Sequence, residues 1–156
     1  MKSKAYNYKL VSRLEAKKIA PIELPENIGS VSSSKDAFKI AWSLWDLETI
    51  EVAEHFNVLF LSRQNKVMGW SNVSTGGIDS TTVDVKHIMK LALLTNATGL
   101  IIYHNHPSGS LLTSKADEEI TRKIKQACDI LGFSLLDHLV LAPNGEYYSF
   151  SDSGLM

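Results

Sequence analysis

The stretch Gly99-Leu100-Ile101-Ile102-Tyr103-His104-Asn105-His106-Pro107-Ser108-Gly109 decides how this chain folds. Its first five residues are a short apolar, partly β-branched run, the pattern of a strand buried on both faces. Along an extended backbone, side chains two apart point the same way, so His104 and His106 can present both imidazoles to one point. Pro107 and Gly109 then break regular structure. Beyond them a helix is expected from Ser114, with Ala116, Ile120, Ile124, Ala127 and Leu131 at helical spacing and Gly132 as its stop. Asp117 lies one turn in, on the side of the Ser114 hydroxyl. Ser114-x-x-Asp117 has two readings: a helix cap, or a carboxylate brought to the paired imidazoles. In the second, two histidines and one aspartate form a three-ligand site with its fourth position open, the arrangement of a catalytic tetrahedral zinc ion.

Working outward, Ser32-Ser33-Ser34 offers N-caps for a first amphipathic helix carrying Ala37, Phe38, Ala41, Leu44 and Trp45 and ending near Leu47. His55 to Ser62 reads as a strand, Gln64-Asn65 as a turn, and Lys66 to Val73 as the returning strand. Thr75-Gly76-Gly77 interrupts the pattern. Val85, Ile88, Met89, Ala92 and Leu93 mark one stripe of a second helix ending near Asn96, with Lys86, His87 and Lys90 on its opposite side. After the third helix come a strand from Ser134 to Ala142, a turn at Pro143-Asn144-Gly145 and a final strand from Glu146 to Phe150. Strands alternating with helices predict an α/β fold with a mixed sheet covered on both sides. The poorly patterned first 31 residues, punctuated by Pro21, Pro25 and Gly29, are expected to be an arm that packs late or not at all, leaving 32–156 as the domain.

A chain of 156 residues with 44% apolar residues can bury a core without staples. The single cysteine, Cys128, excludes an intrachain disulfide and Cys-rich zinc frameworks, and falls where it would pack against the core. No apolar run reaches membrane-spanning length and no secretion signal is recognisable at the N-terminus, so a cytoplasmic protein without membrane association is expected. A formal net charge of -1 argues against strongly electrostatic nucleic-acid binding. The local exception is a basic leader, Lys2, Lys4, Lys9, Arg13, Lys17 and Lys18 against Glu15, read as a solvated tail or a weak nucleic-acid contact.

His104, His106, Ser114 and Asp117 stand as in the JAMM (MPN, JAB) metallo-isopeptidase motif, and His-Asn-His-Pro-Ser-Gly resembles its bacterial RadC-type branch. The resemblance runs from about Ser32 to the C-terminus and takes in Phe56 to Leu61 and Leu136 to Val140. It implies a cytidine-deaminase-like, three-layer α/β/α sandwich holding one zinc ion on His104, His106 and Asp117. Two departures bear on substrate preference: Ser110-Leu111-Leu112-Thr113 replaces an acidic, proline-containing loop, and Lys86-His87 stands where an Arg-Glu pair is usual.

Amide hydrolysis by metal-activated water needs a group that takes the proton of the water and hands it to the leaving nitrogen. Glu48, Glu51 and Glu54 all precede the first core strand. Glu54 abuts it and matches the family's position, so it is assigned as the base, with the Ser114 hydroxyl as an oxyanion donor. The expected function is thus a zinc-dependent hydrolase of peptide or isopeptide bonds. Two readings of other classes stand beside it: a DNA-associated module, carried by the repair label of RadC-type proteins, and a catalytically silent scaffold. No Gly-rich hairpin of the helix-hairpin-helix kind is expected before Ser32, and all ligand positions are filled. A zinc base deaminase is excluded by the missing Pro-Cys-x-x-Cys. His138 is read either as a buried, satisfied histidine or as an orienting partner for a ligand, with Asp137 as the other candidate for that place.

Overall fold

A computed structural model describes residues 5–12, 15–25, 30–76 and 83–156 of the chain. Inside its sheet lies β5 (Gly99–Asn105), every residue of which is buried. It pairs antiparallel with β3 (Glu54–Leu61) on one side and parallel with β6 (Ser134–Leu141) on the other. β4 (Val67–Gly76) lies outside β3, and β7 (Tyr147–Ser149) lies outside β6. The turn into β4 uses Asn65 at φ 56°, a left-handed conformation that asparagine tolerates better than most residues.

Alternation along the strands splits the core in two. Val58, Phe60, Leu100 and Ile102 pack with α2 (Val85–Leu94) and α3 (Lys115–Leu131). Leu59, Leu61, Ile101 and Tyr103 pack with α1 (Ser34–Ser43). The chain is therefore an α/β fold with a mixed sheet and, among the described residues, three helices.

One expectation is narrowed and two change in detail. Of the three serines, Ser33 caps α1, its hydroxyl accepting from the Asp36 N–H at 3.2 Å. That helix stops at Ser43 rather than near Leu47. Asp46 starts a local turn instead, accepting from the Glu48 N–H and the Thr49 hydroxyl, and such side-chain bonds compete with helix continuation. On α2 the buried stripe is Ile88, Met89, Leu91 and Ala92, because Leu93 falls on the far side and is exposed.

The largest correction concerns the first 31 residues. They contain β1 (Ala5–Ser12) and β2 (Glu15–Ile22), an antiparallel hairpin docked parallel to β4 through Tyr6 and Asn7 against Gly69 and Trp70. The sheet order is β2-β1-β4-β3-β5-β6-β7. The exposed lysines and the proline that obscured this pattern are what an edge hairpin carries: lysines discourage further strand pairing, and Pro21 sits in the outermost strand. Lys18 covers the Tyr6 ring at 4.1 Å, and Tyr8 packs edge-on against Phe60. Gly69 is required here, since a Cβ would collide with the Tyr6 carbonyl and the Tyr8 ring. Lys2, Lys4, Arg13, Gly29 and Gly77 lie outside the described residues.

Candidate metal centre

Strand β5 carries His104 near its C-terminal end, on the face that α3 covers, and His106 follows directly after its last residue. Helix α3 begins beside them because Ser114 caps it. The Ser114 hydroxyl accepts from the Asp117 N–H at 3.0 Å, while the N–H and hydroxyl of Ser114 both donate to Asp117 Oδ2 at 2.7 Å. The two sequence readings of Ser114-x-x-Asp117 are thus compatible: the cap fixes the carboxylate through Oδ2, which also lies 3.6 Å from His106 Nε2, and leaves Oδ1 facing His104. Asp117 Oδ1 lies 3.2 Å from His104 Nε2, and the two Nε2 atoms lie 3.0 Å apart.

His106 Nδ1 is 2.7 Å from the Ser110 carbonyl, an acceptor only, so Nδ1 carries a proton and neutral His106 turns a lone pair inward at Nε2. His104, His106 and Asp117 offer ligand atoms all within 4.8 Å of one another. Such a convergence of acceptors is repulsive unless a proton or a metal cation sits among them, and two imidazoles with one carboxylate suit a metal such as zinc. The residues fit a metal.

Electrostatics agree. Asp117, the Ser110 carbonyl and the charge of Glu54 raise the proton affinity of His106 against a contrary push from burial. Burial alone would lift the Asp117 carboxyl, yet wherever His104 and His106 carry a proton toward it, in place of a cation, they hold it well below the usual carboxylate range. A raised His106 pKa means that protons begin to compete with a cation at higher pH. Zinc affinity, measured by chelator competition, should therefore fall as pH drops, starting above the ordinary imidazole value of 6.5. A flat profile between pH 6 and 8 would contradict this account of His106.

Glu54 opens β3, partly buried. Phe56 pairs with His104 in the antiparallel register and stacks on its ring at 5.8 Å, and Glu54, two residues before Phe56, is near enough for its charge to act on His106. Asn105, which sequence reasoning passed over, holds this arrangement. Its side chain is fully buried, accepts from the His55 N–H at 2.8 Å and donates to the Ile50 and Ala53 carbonyls at 2.7 and 2.9 Å. The residue between the two imidazoles thus anchors the turn that delivers Glu54. Asn105→Ala should lower stability by about 2–3 kcal/mol in chemical denaturation, because it strands buried backbone groups. A change under about 0.5 kcal/mol would show that the anchor is dispensable.

Both readings of His138 hold together. It is fully buried and lies 2.8 Å from His104 Nδ1, while its own Nδ1 is 2.6 Å from the Thr121 hydroxyl. Burial pushes its pKa well below the usual imidazole value. Asp137 points elsewhere, binding the Ser149 hydroxyl and the Ser151 N–H. Thr121 was missed because the apolar stripe of α3 seemed to run through Ala116, Ile120 and Ile124. The buried line is Asp117, Thr121, Ile124 and Cys128, two polar residues leading two apolar ones. An Asp-x-x-x-Thr spacing at the start of an amphipathic helix was the available signal. His87, on α2, is outside the ligand group, and Cys128 is buried with its thiol pushed up to about 11.

Comparison with known proteins adds the family. Residues 31–155 match the model of the RadC-like JAB domain. A UPF0758 protein of Flavobacterium johnsoniae is 48% identical over 126 residues, covering 80% of this chain and 53% of that protein. One from Porphyromonas gingivalis is 36% identical over 142 residues, covering 90% and 60%, and one from Aquifex aeolicus is 35% identical over 127, covering 81% and 53%. The chain thus spans little more than half the length of these relatives. With a matched region reaching from α1 past β7 and enclosing both imidazoles and the carboxylate, this chain belongs to the RadC-like JAB domain family.

Proposed function

We infer that the domain, residues 32–156, is a zinc-dependent hydrolase of the JAMM type that cleaves a peptide or isopeptide bond. The observation that carries this reading is the convergence of His104, His106 and Asp117 on one point beside Glu54. Helix α1 on one sheet face and α2 and α3 on the other support a three-layer α/β/α sandwich of the cytidine-deaminase kind. Among the described residues no helix is long and apolar enough to cross a membrane. We propose a cytoplasmic location, with peptide or protein substrates.

When bound, zinc supplies a Lewis acid that acidifies water and polarises a carbonyl. The residues do the rest. Glu54 accepts a proton from the attacking water at its carboxylate and returns it to the departing amine nitrogen. The Ser114 hydroxyl, whose proton rests on Asp117 Oδ2, transfers that hydrogen bond to the developing oxyanion, while the Ser114 N–H keeps the carboxylate in place. Phe56, stacked on His104, keeps water off that side of the ring.

The test is a screen of zinc-loaded protein against linear peptides and lysine-linked isopeptides. Cleavage should stop with a chelator and return with added zinc. Cleavage that persists in excess chelator would overturn the reading.

A further inference from the structure

Thr121 touches none of the three converging ligand atoms, yet it ends a chain of hydrogen bonds that reaches them. Its hydroxyl has one proton and two neighbours, the Asp117 carbonyl at 2.5 Å and His138 Nδ1 at 2.6 Å. A carbonyl only accepts, so the hydroxyl proton goes there; otherwise two oxygen lone pairs would face each other. The hydroxyl must then accept from His138 Nδ1–H. The His138 ring is enclosed by Phe56 and Phe150 and has no carboxylate among its hydrogen-bond partners. With its one proton on Nδ1, Nε2 is an acceptor, and His104 Nδ1 donates to it at 2.8 Å. That leaves His104 Nε2 without a proton, toward Asp117 Oδ1.

We propose that Thr121 and His138 are positioning residues that lock His104 into the tautomer whose Nε2 is bare, so that a metal can bind there without displacing a proton from His104. The proposal rests on the metal reading above and adds the means by which the site is held ready. Its second effect is geometric. Through the Asp117 carbonyl, the chain joins the first turn of α3 to β6 and β5, the elements that bring the carboxylate and the imidazoles together.

The relay has a definite failure mode. Without the Thr121 hydroxyl, His138 Nδ1–H has no acceptor, and the ring gains by moving its proton to Nε2, where His104 Nδ1 accepts it. His104 must then carry its own proton on Nε2, pointing at Asp117 Oδ1 and closing the site. Two readouts follow from this in Thr121→Val, which keeps size and shape. Zinc affinity, from competition with a chromophoric chelator, should weaken about 10- to 100-fold, the range for loss of a ligand's orienting partner. The ¹⁵N shifts of His104 in the metal-free protein, above pH 8, should move from the Nδ1–H to the Nε2–H pattern. Thr121→Ser restores the hydroxyl and should return both to wild type, which a role in packing alone would not require. If Thr121→Val does not fold, Thr121→Ala removes the same hydroxyl and carries the same expectation. Wild-type protein that takes up no zinc would sink the metal reading and the relay with it. Zinc uptake by wild type with an unchanged affinity and tautomer in the valine or alanine variant would sink the relay alone.

Discussion

Asp117→Ala, purified beside wild type from zinc-supplemented cells, should hold less than about a tenth of the wild-type zinc by elemental analysis. The variant removes one of the three proposed ligands and the one charged member of that set, leaving two imidazoles that neutralise none of the charge of a dication. It also removes the acceptor of the Ser114 N–H and hydroxyl, so about 1 kcal/mol of stability should go with the helix cap. Asp117→Asn separates the two effects. An amide oxygen can still accept from Ser114, so the cap should survive while metal retention falls. Full zinc occupancy in both variants would remove Asp117 from the ligand set.

Glu54→Gln should do the reverse: unchanged zinc content with turnover lowered about 10²- to 10⁴-fold, the range for loss of a positioned general base. Glutamine preserves the size of the side chain but cannot take a proton at neutral pH. Because Asn105 fixes the turn before Glu54 through its own amide, the substitution should leave the strand in place, and the melting temperature should shift little. If zinc is lost together with activity, Glu54 is a ligand. If activity persists, the proton goes elsewhere, with Glu48 and Glu51 on the preceding turn as the next residues to replace.

What the sequence made legible was whatever depends on short-range periodicity. β5 was readable because seven successive residues are buried, and α3 because a cap, an apolar repeat and a glycine at φ 79° delimit it. The two imidazoles and the carboxylate were readable because alternation on a strand and one helical turn fix their directions. The parts that stayed hidden depend on partners distant in the chain. The Asp-x-x-x-Thr spacing hints only that Thr121 shares the face of Asp117; its role follows from His138, 17 residues on. Asn105 takes its meaning from Ile50 and Ala53, about 50 residues earlier. The N-terminal hairpin was obscured because edge strands carry the lysines and prolines that mark loops elsewhere.

That hairpin has a practical consequence. The matched family region begins at Val31, so trimming the chain to that point is the obvious way to prepare a minimal domain. Doing so would strip β1 from β4 and bare its outer backbone amides and carbonyls, together with the patch of Phe60 that Tyr8 covers. A raw strand margin of this kind recruits copies of itself, so the shortened protein would tend to clump where the longer one stays dispersed.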